Sequence, residues 1–255
     1  MINRNVRKGV PFFAKISRLM QDYTVTLDKK FFFRLCRKDG VNLLVVVGAH
    51  VGTESEEFVE GNRSNYVVEF EPNPFINEQL QRYRSERITR NAVALGSKTG
   101  YAYLHLPSTD KTNPGASTIE GYGIKNNQIV EVELATLDSF FIGSRTPFAL
   151  QIDCEGANKE VILGAKELFR KKLVRLVRIE VDFSCSLQPN DCDSLTPLLE
   201  NGMVMLSFDF QSKNEVNALL VQKENLLKPI PYLTIHRLAQ RILRFAIKFV
   251  SWFNK

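Results

Sequence analysis

Asn42-Leu-Leu-Val-Val-Val-Gly-Ala-His-Val-Gly52 decides the fold. Leu43 to Val47 are five consecutive apolar residues, three of them β-branched, which is the pattern of a strand buried on both faces. Gly48 and Gly52 flank a tight turn, and Thr53-Glu-Ser-Glu-Glu-Phe-Val59 then begins a polar, helix-like segment. A buried strand that breaks into a glycine turn and a helix is a common cradle for nucleotide-like cofactors. Glycine allows close backbone approach, and the N–H groups of a helix start favour anionic or polar ligand atoms. The turn alone is a weak signal, so its companions along the chain decide its meaning.

Working outward, Tyr66-Val-Val-Glu-Phe-Glu71 reads as a second strand ended by an acid and the turn Pro72-Asn-Pro74. Phe75 to Arg84 reads as a helix and Ile88 to Leu95 as a third strand. Alternating β and α segments with short connections predict an α/β fold with a doubly wound, mostly parallel sheet. Tyr101–Leu106 and Gln128–Leu134 then alternate with period two and predict an inserted antiparallel hairpin. They bracket Pro107 to Lys125, rich in Pro, Gly, Ser, Thr and Asn, which reads as a long loop or lid. Phe148 to Asp153 is a fourth buried strand, 157–171 one helix with an apolar stripe, and Leu173 to Val181 a fifth strand. Met203–Phe210 and Ala218–Gln222 read as a closing antiparallel hairpin.

The chain has 255 residues, 44% hydrophobic and 24% charged, which suits one globular domain with terminal additions. We divide it into a basic peripheral cap over 1–40, a main domain over 41–223 and a basic amphipathic helix over 224–255. Residues 1–21 carry five basic and no acidic residues, and residues 226–255 six and none. Between them 23 basic residues face 28 acidic ones, so the overall charge of +6 belongs to the ends. An acidic body speaks against a nucleic-acid partner. Arg237, Arg241, Arg244 and Lys248 fall on one face of a helix, with Phe245, Phe249, Trp252 and Phe253 among the remainder. That pattern predicts binding of residues 234–255 to an anionic membrane surface, or packing on the core. No apolar run reaches the roughly 18 residues of a membrane span, and the start lacks a secretory apolar region. Four cysteines without metal spacing read as reduced thiols, and together these features predict a cytoplasmic protein, peripheral at a membrane.

Four features fall at predicted carboxyl ends of strands, where open α/β sheets bind ligands. They are the turn Gly48-Ala49-His50-Val51-Gly52; Glu71, nineteen residues on and followed by Pro72; Asn91-Ala92; and Ile152-Asp-Cys-Glu-Gly156. Glu71 is placed to accept hydrogen bonds from ribose hydroxyls, and Asn91 and Ala92 to border a flat base. Asp153 and Glu155 put two carboxylates where strand meets helix, and neighbouring carboxylates raise one another's proton affinity.

Val47-Gly-Ala-His-Val-Gly52, Glu71-Pro-Asn-Pro74, Thr136-Leu-Asp138, Ile152-Asp-Cys-Glu-Gly-Ala157, Leu163-Gly-Ala165 and Ile179-Glu-Val181 together resemble the FkbM-type methyltransferases over residues 41–222. The resemblance implies a seven-stranded Rossmann-like fold, S-adenosylmethionine as cofactor and O-methylation of hydroxyls on glycans, lipids or polyketides. It implies that Gly48, Ala49, His50 and Gly52 line the methionine and ribose, and that Glu71 binds the ribose diol. Asp153 and Glu155 would lie at the methyl-transfer site, with His50 a third candidate base; the alternative role for Asp153 is to bind the cofactor ammonium.

Three positions depart from the family pattern: Val46 for an acid, Gln151 for a lysine and Asn158 for a glutamate. Losing one charge-assisted hydrogen bond at position 46 costs about 1.5–3 kcal/mol, roughly ten- to a hundred-fold in affinity. A second reading is therefore a catalytically weak or inactive protein of this fold that binds a membrane or partner. A nicotinamide-dependent oxidoreductase fits less well, because Gly-x-x-x-Gly lacks the Gly-x-Gly-x-x-Gly spacing.

Overall fold

The structure, a computed structural model, describes residues 29–80, 85–107, 127–154, 156–182, 193–210 and 215–227. The stretch 234–255, the loop residues 108–125 and Glu155 lie outside the described residues.

Strand β1 (Leu43–Val47) is an interior strand, third in order, of a seven-stranded sheet. Parallel neighbours β2 (Tyr66–Phe70) and β3 (Ile88–Asn91) lie on one side of it. Parallel β7 (Phe148–Ile152) and β8 (Val174–Asp182) lie on the other. An antiparallel pair closes the sheet, β10 (Glu215–Gln222) against β8 and β9 (Met203–Phe210) at the edge, in the order β3-β2-β1-β7-β8-β10-β9. This is the expected doubly wound sheet with its closing hairpin.

The apolar run of β1 is buried on both faces because both faces carry helices. Val45 and Val47 join Leu150, Ile152, Val177 and Ile179 under α5 (Asn158–Leu163) and α6 (Lys166–Arg170). Leu44 and Val46 face the other way, toward Phe58 and Val59 of α2 (Thr53–Gly61) and toward Phe32, Leu35 and Cys36. Those last three belong to a helix over 29–38, α1, which we expected to cap a sheet edge. Its apolar residues instead cluster with side chains of β1, β7, β8, β9 and β10, across a sheet face.

The inserted hairpin is β5 (Gly100–Pro107) paired with β6 (Asn127–Ala135), joined by the two-residue β4 (Ala94–Leu95) into a second, three-stranded sheet. The expected single strand over 88–95 is thus two strands in two sheets. The Asn91 amide donates to the Glu69 carbonyl at 3.0 Å and the Asn91 carbonyl accepts from Glu71 N–H at 3.0 Å, and the β2–β3 ladder ends there.

The expected helix over 157–171 also divides, at Gly164-Ala165. A Cβ on Gly164 would lie 2.0 Å from the carbonyl oxygen of Gly96, so the helix can meet the second sheet only without a side chain there. Thr136 caps α4 (Leu137–Phe140), its Oγ1 accepting from Ser139 N–H. Asp138 then accepts the N–H groups of Glu167 and Leu168, both at 3.0 Å, at the start of α6. The motifs Thr136-Leu-Asp138 and Leu163-Gly-Ala165 are therefore two halves of one clamp. The chain continues through α3 (Pro74–Leu80) after β2 and α7 (Leu195–Glu200) before β9. No helix among the described residues is long and apolar enough to cross a membrane.

Candidate cofactor and methyl-transfer site

The winding reverses between β1 and β7, and the crevice at their carboxyl ends is where sheets of this kind bind ligands. The turn after β1 occupies it. Gly48, His50 and Gly52 all have positive φ, at 79°, 45° and 77°. The N–H groups of Gly48 and Ala49 both donate to the Phe70 carbonyl, and Gly52 N–H to that of Ala49. The turn is thus pinned to the end of β2. A Cβ on Gly48 would lie 1.9 Å from the carbonyl oxygen of Asp153, whose own N–H donates to Val47 at 3.0 Å. Glycine at 48 is what lets the two loops flanking the crevice touch. Gly52 precedes α2 in a left-handed conformation, and no side chain caps that helix. Glu54 and Glu56 make its first turn acidic.

Glu71 is 7% exposed and ties the turn after β1 to the loop after β2. Its Oε2 accepts the N–H of His50 and its Oε1 that of Asn73, each at 2.9 Å. Burial pushes its carboxyl above the ordinary value of 4.5, opposed by the Asn73 and His50 N–H bonds. Asn77 donates to the Glu71 carbonyl, and Phe75 N–H to the Asn73 side chain at 3.0 Å, so Glu71-Pro-Asn-Pro74 forms a rigid, internally bonded loop. Pro72 and Asn91 are half-buried beside it and Ala92 is exposed. Asn73, which carries no signal in the sequence beyond its place in a proline turn, is fully buried and orients the carboxylate.

Asp153 is exposed at the mouth of the crevice. Asn158 holds the loop behind it. Its Oδ1 accepts Cys154 N–H at 3.0 Å and its Nδ2 donates to the Glu180 carbonyl at 2.8 Å, fastening the end of β7 to β8. An asparagine can do both; a glutamate could not donate. The structure thus brings together Gly48, Ala49, His50, Gly52, Glu71 and Asp153, with Asn91 and Ala92 at the next strand end. Glu155 falls outside the described residues, so its expected pairing with Asp153 is not described. Among the described residues no three metal-ligating side chains are grouped.

Val46 is 2% exposed within the α1/α2 apolar cluster. In register it stands between Glu69 on β2 and Gln151 on β7, with Arg178 the next neighbour on β8. Glu69 is paired with Arg90 at 2.7 Å, while the buried Gln151 Oε1 has no hydrogen-bond partner among the described residues. An acid introduced at 46 enters an apolar layer one strand from Glu69. Val46→Asp is therefore expected to lower stability by about 3 kcal/mol, and adding Gln151→Lys to recover at least half of that by supplying a cation in register. Urea denaturation of the two variants checks this; a single variant as stable as wild type would contradict it. The double variant is the one whose affinity for S-adenosylhomocysteine reads the effect of position 46.

S-adenosylmethionine, which the resemblance implied, fits these residues. Each Glu71 oxygen accepts one backbone N–H and keeps a lone pair for a diol. The uncapped start of α2 suits a carboxylate.

Comparison with known proteins agrees. No curated protein matches the chain. Among solved structures it is similar to the magnesium protoporphyrin IX methyltransferase of Synechocystis PCC 6803 with bound SAM, at 11% identity and TM-score 0.45, covering 77% of this chain and 79% of that one. It is also similar to the precorrin-6y C5,15-methyltransferase of Geobacter metallireducens GS-15, at 11% identity and TM-score 0.41, covering 72% and 82%. The fibrillarin pre-rRNA processing protein of Methanococcus jannaschii gives 11%, 0.42, and 72% and 67%. Likenesses this distant add nothing to the strand order already described; the family match is the stronger finding. The model of the methyltransferase FkbM domain matches residues 47–204, more than half of the chain. The chain belongs to the FkbM methyltransferase family, and is a methyltransferase.

Proposed function

We propose that the protein methylates a hydroxyl oxygen of a glycan, glycolipid or other small hydroxylated acceptor. The observation that carries this reading is the position of Asp153, solvent-exposed on a loop whose backbone touches the cofactor turn at Gly48. The cofactor supplies a methyl group already activated on a sulfonium. The chain's task is then alignment and proton removal. The Gly48–Gly52 turn and Glu71 hold the donor side. Asp153 would accept the proton of the acceptor hydroxyl during transfer and later return it to solvent. His50 and Glu155 are the next candidate bases.

Transfer of labelled methyl to a panel of hydroxylated sugars and glycolipids tests this. Asp153→Asn is expected to lower kcat about 10²- to 10⁴-fold with little change in affinity for S-adenosylhomocysteine. Lost affinity with unchanged kcat would instead make Asp153 a ligand of the cofactor ammonium. A panel on which no hydroxyl is methylated would count against the proposal.

The buried Val46 supports a second reading, a weak methyltransferase that acts chiefly as a membrane-surface or partner-binding module through its basic ends. Trp252 is the only tryptophan and lies in the terminal stretch. Its emission should shift to the blue on anionic vesicles at low salt and return at high salt; an unchanged spectrum on vesicles would sink this reading.

A further inference from the structure

Strand alternation in the second sheet separates two faces. Ala102, Leu104 and Leu106 of β5 meet Val130, Val132 and Leu134 of β6 on the inner face, packed with Ala94 and Phe75. The outer face carries Tyr101 opposite Glu133, Tyr103 opposite Glu131, and His105 opposite Ile129. Tyr101 is 73% exposed, Tyr103 59% and Ile129 56%. Because the inner face is buried, the register cannot slip, and the two phenol rings are held outward.

We propose that this outer face is a docking platform for a neutral saccharide, holding a non-reacting part of the acceptor; the inference rests on the glycan reading above. A tyrosine ring presents a flat apolar face and a polar rim with few rotatable bonds. A pyranose has the matching form, a C–H face surrounded by hydroxyls. Tyrosines two residues apart on one strand are about 6.7 Å apart, close enough for successive sugar units of one chain to cover both. Glu131 and Glu133 flank them as acceptors for sugar hydroxyls. Charge narrows the occupant further. Neither strand contains a lysine or arginine, so the face has two carboxylates and no cation of its own strands. A phosphate, an anionic lipid headgroup or nucleic acid is repelled, whereas a partner rich in donors and free of negative charge is complementary. The placement also suits an acceptor. Phe75, which packs under the platform, follows directly on the Glu71–Pro74 loop, so the platform is built onto the loop that holds Glu71. Binding a remote sugar there helps present the reacting hydroxyl to the crevice.

The test is retention of the full-length protein on an array of immobilised neutral and uronate-containing glycans, with polylysine spots alongside. Neutral glycans should retain wild type. Tyr101→Ala/Tyr103→Ala should reduce retention at least tenfold while leaving affinity for S-adenosylhomocysteine unchanged, and Tyr66→Ala, which removes an exposed tyrosine from β2, should reduce neither. Retention on no neutral glycan, equal retention of the double variant, preference for uronate-containing glycans, or retention on polylysine alone would each overturn the proposal. Transfer of labelled methyl to sugars is scored separately. Methylation without array binding removes the platform and keeps the activity; array binding without methylation does the reverse.

Discussion

Gly48→Ala is expected to lower folding stability by about 3–5 kcal/mol and to abolish measurable cofactor binding. Two costs combine. An alanine at φ 79° is strained by itself, and its Cβ would meet the Asp153 carbonyl oxygen at 1.9 Å and carbon at 2.8 Å. Those atoms cannot give way cheaply, because Asp153 N–H is bonded to Val47 and extends the β1–β7 pairing. Gly40→Ala separates the two costs. Gly40 has φ 69°, and a methyl group added there would have nothing within 4 Å, so only the conformational penalty of about 1–2 kcal/mol applies. Denaturant midpoints at constant slope measure both. If Gly48→Ala costs no more than Gly40→Ala, the crevice is not closed as described.

Glu71→Ala is expected to reduce affinity for S-adenosylhomocysteine about a hundred-fold or more. The substitution removes the acceptor for two backbone N–H groups, at about 1.5–3 kcal/mol each for bonds to a charged group, and with them the geometry of the turn. Calorimetric titration at neutral pH reads the loss. The pH dependence has a definite sign. Burial raises the Glu71 carboxyl above 4.5, so the acceptor form is lost early on acidification. Wild-type affinity should begin to fall above pH 4.5, and Glu71→Ala should lack that limb. Stability moves the other way. The folded chain holds this proton more tightly than the unfolded chain, so this contribution is present below pH 4.5 and lost as pH rises through the raised value.

The crevice was legible in the sequence because its elements are local. The run Leu43–Val47, the glycines after it and the acid-proline end of β2 each announce a backbone geometry within a few residues. The divisions of the third strand and of the helix over 157–171 were not. Both depend on partners far along the chain, Gly164 against Gly96 and Asp138 against Glu167, and a period of 2 or 3.6 carries no trace of such contacts. The same holds for Asn158. As a departure from the family pattern it suggested a loss, but in place it is a two-handed tie between Cys154 and Glu180. Val46 was legible as a missing acid, yet its consequence depends on register. Only the pairing with Glu69 and Gln151 reveals what an acid there would face.

The cofactor lies, on this reading, in the crevice between β1 and β7, held by the Gly48–Gly52 turn and Glu71. Hydrogen exchange of the full-length protein with and without S-adenosylhomocysteine puts that placement to the test. Exchange should slow at the amides of 48–56, of Glu71 and Asn73, and of 153–157, with the closing hairpin β9–β10 unchanged. Protection confined to other segments, or none at saturating ligand, would place the cofactor elsewhere.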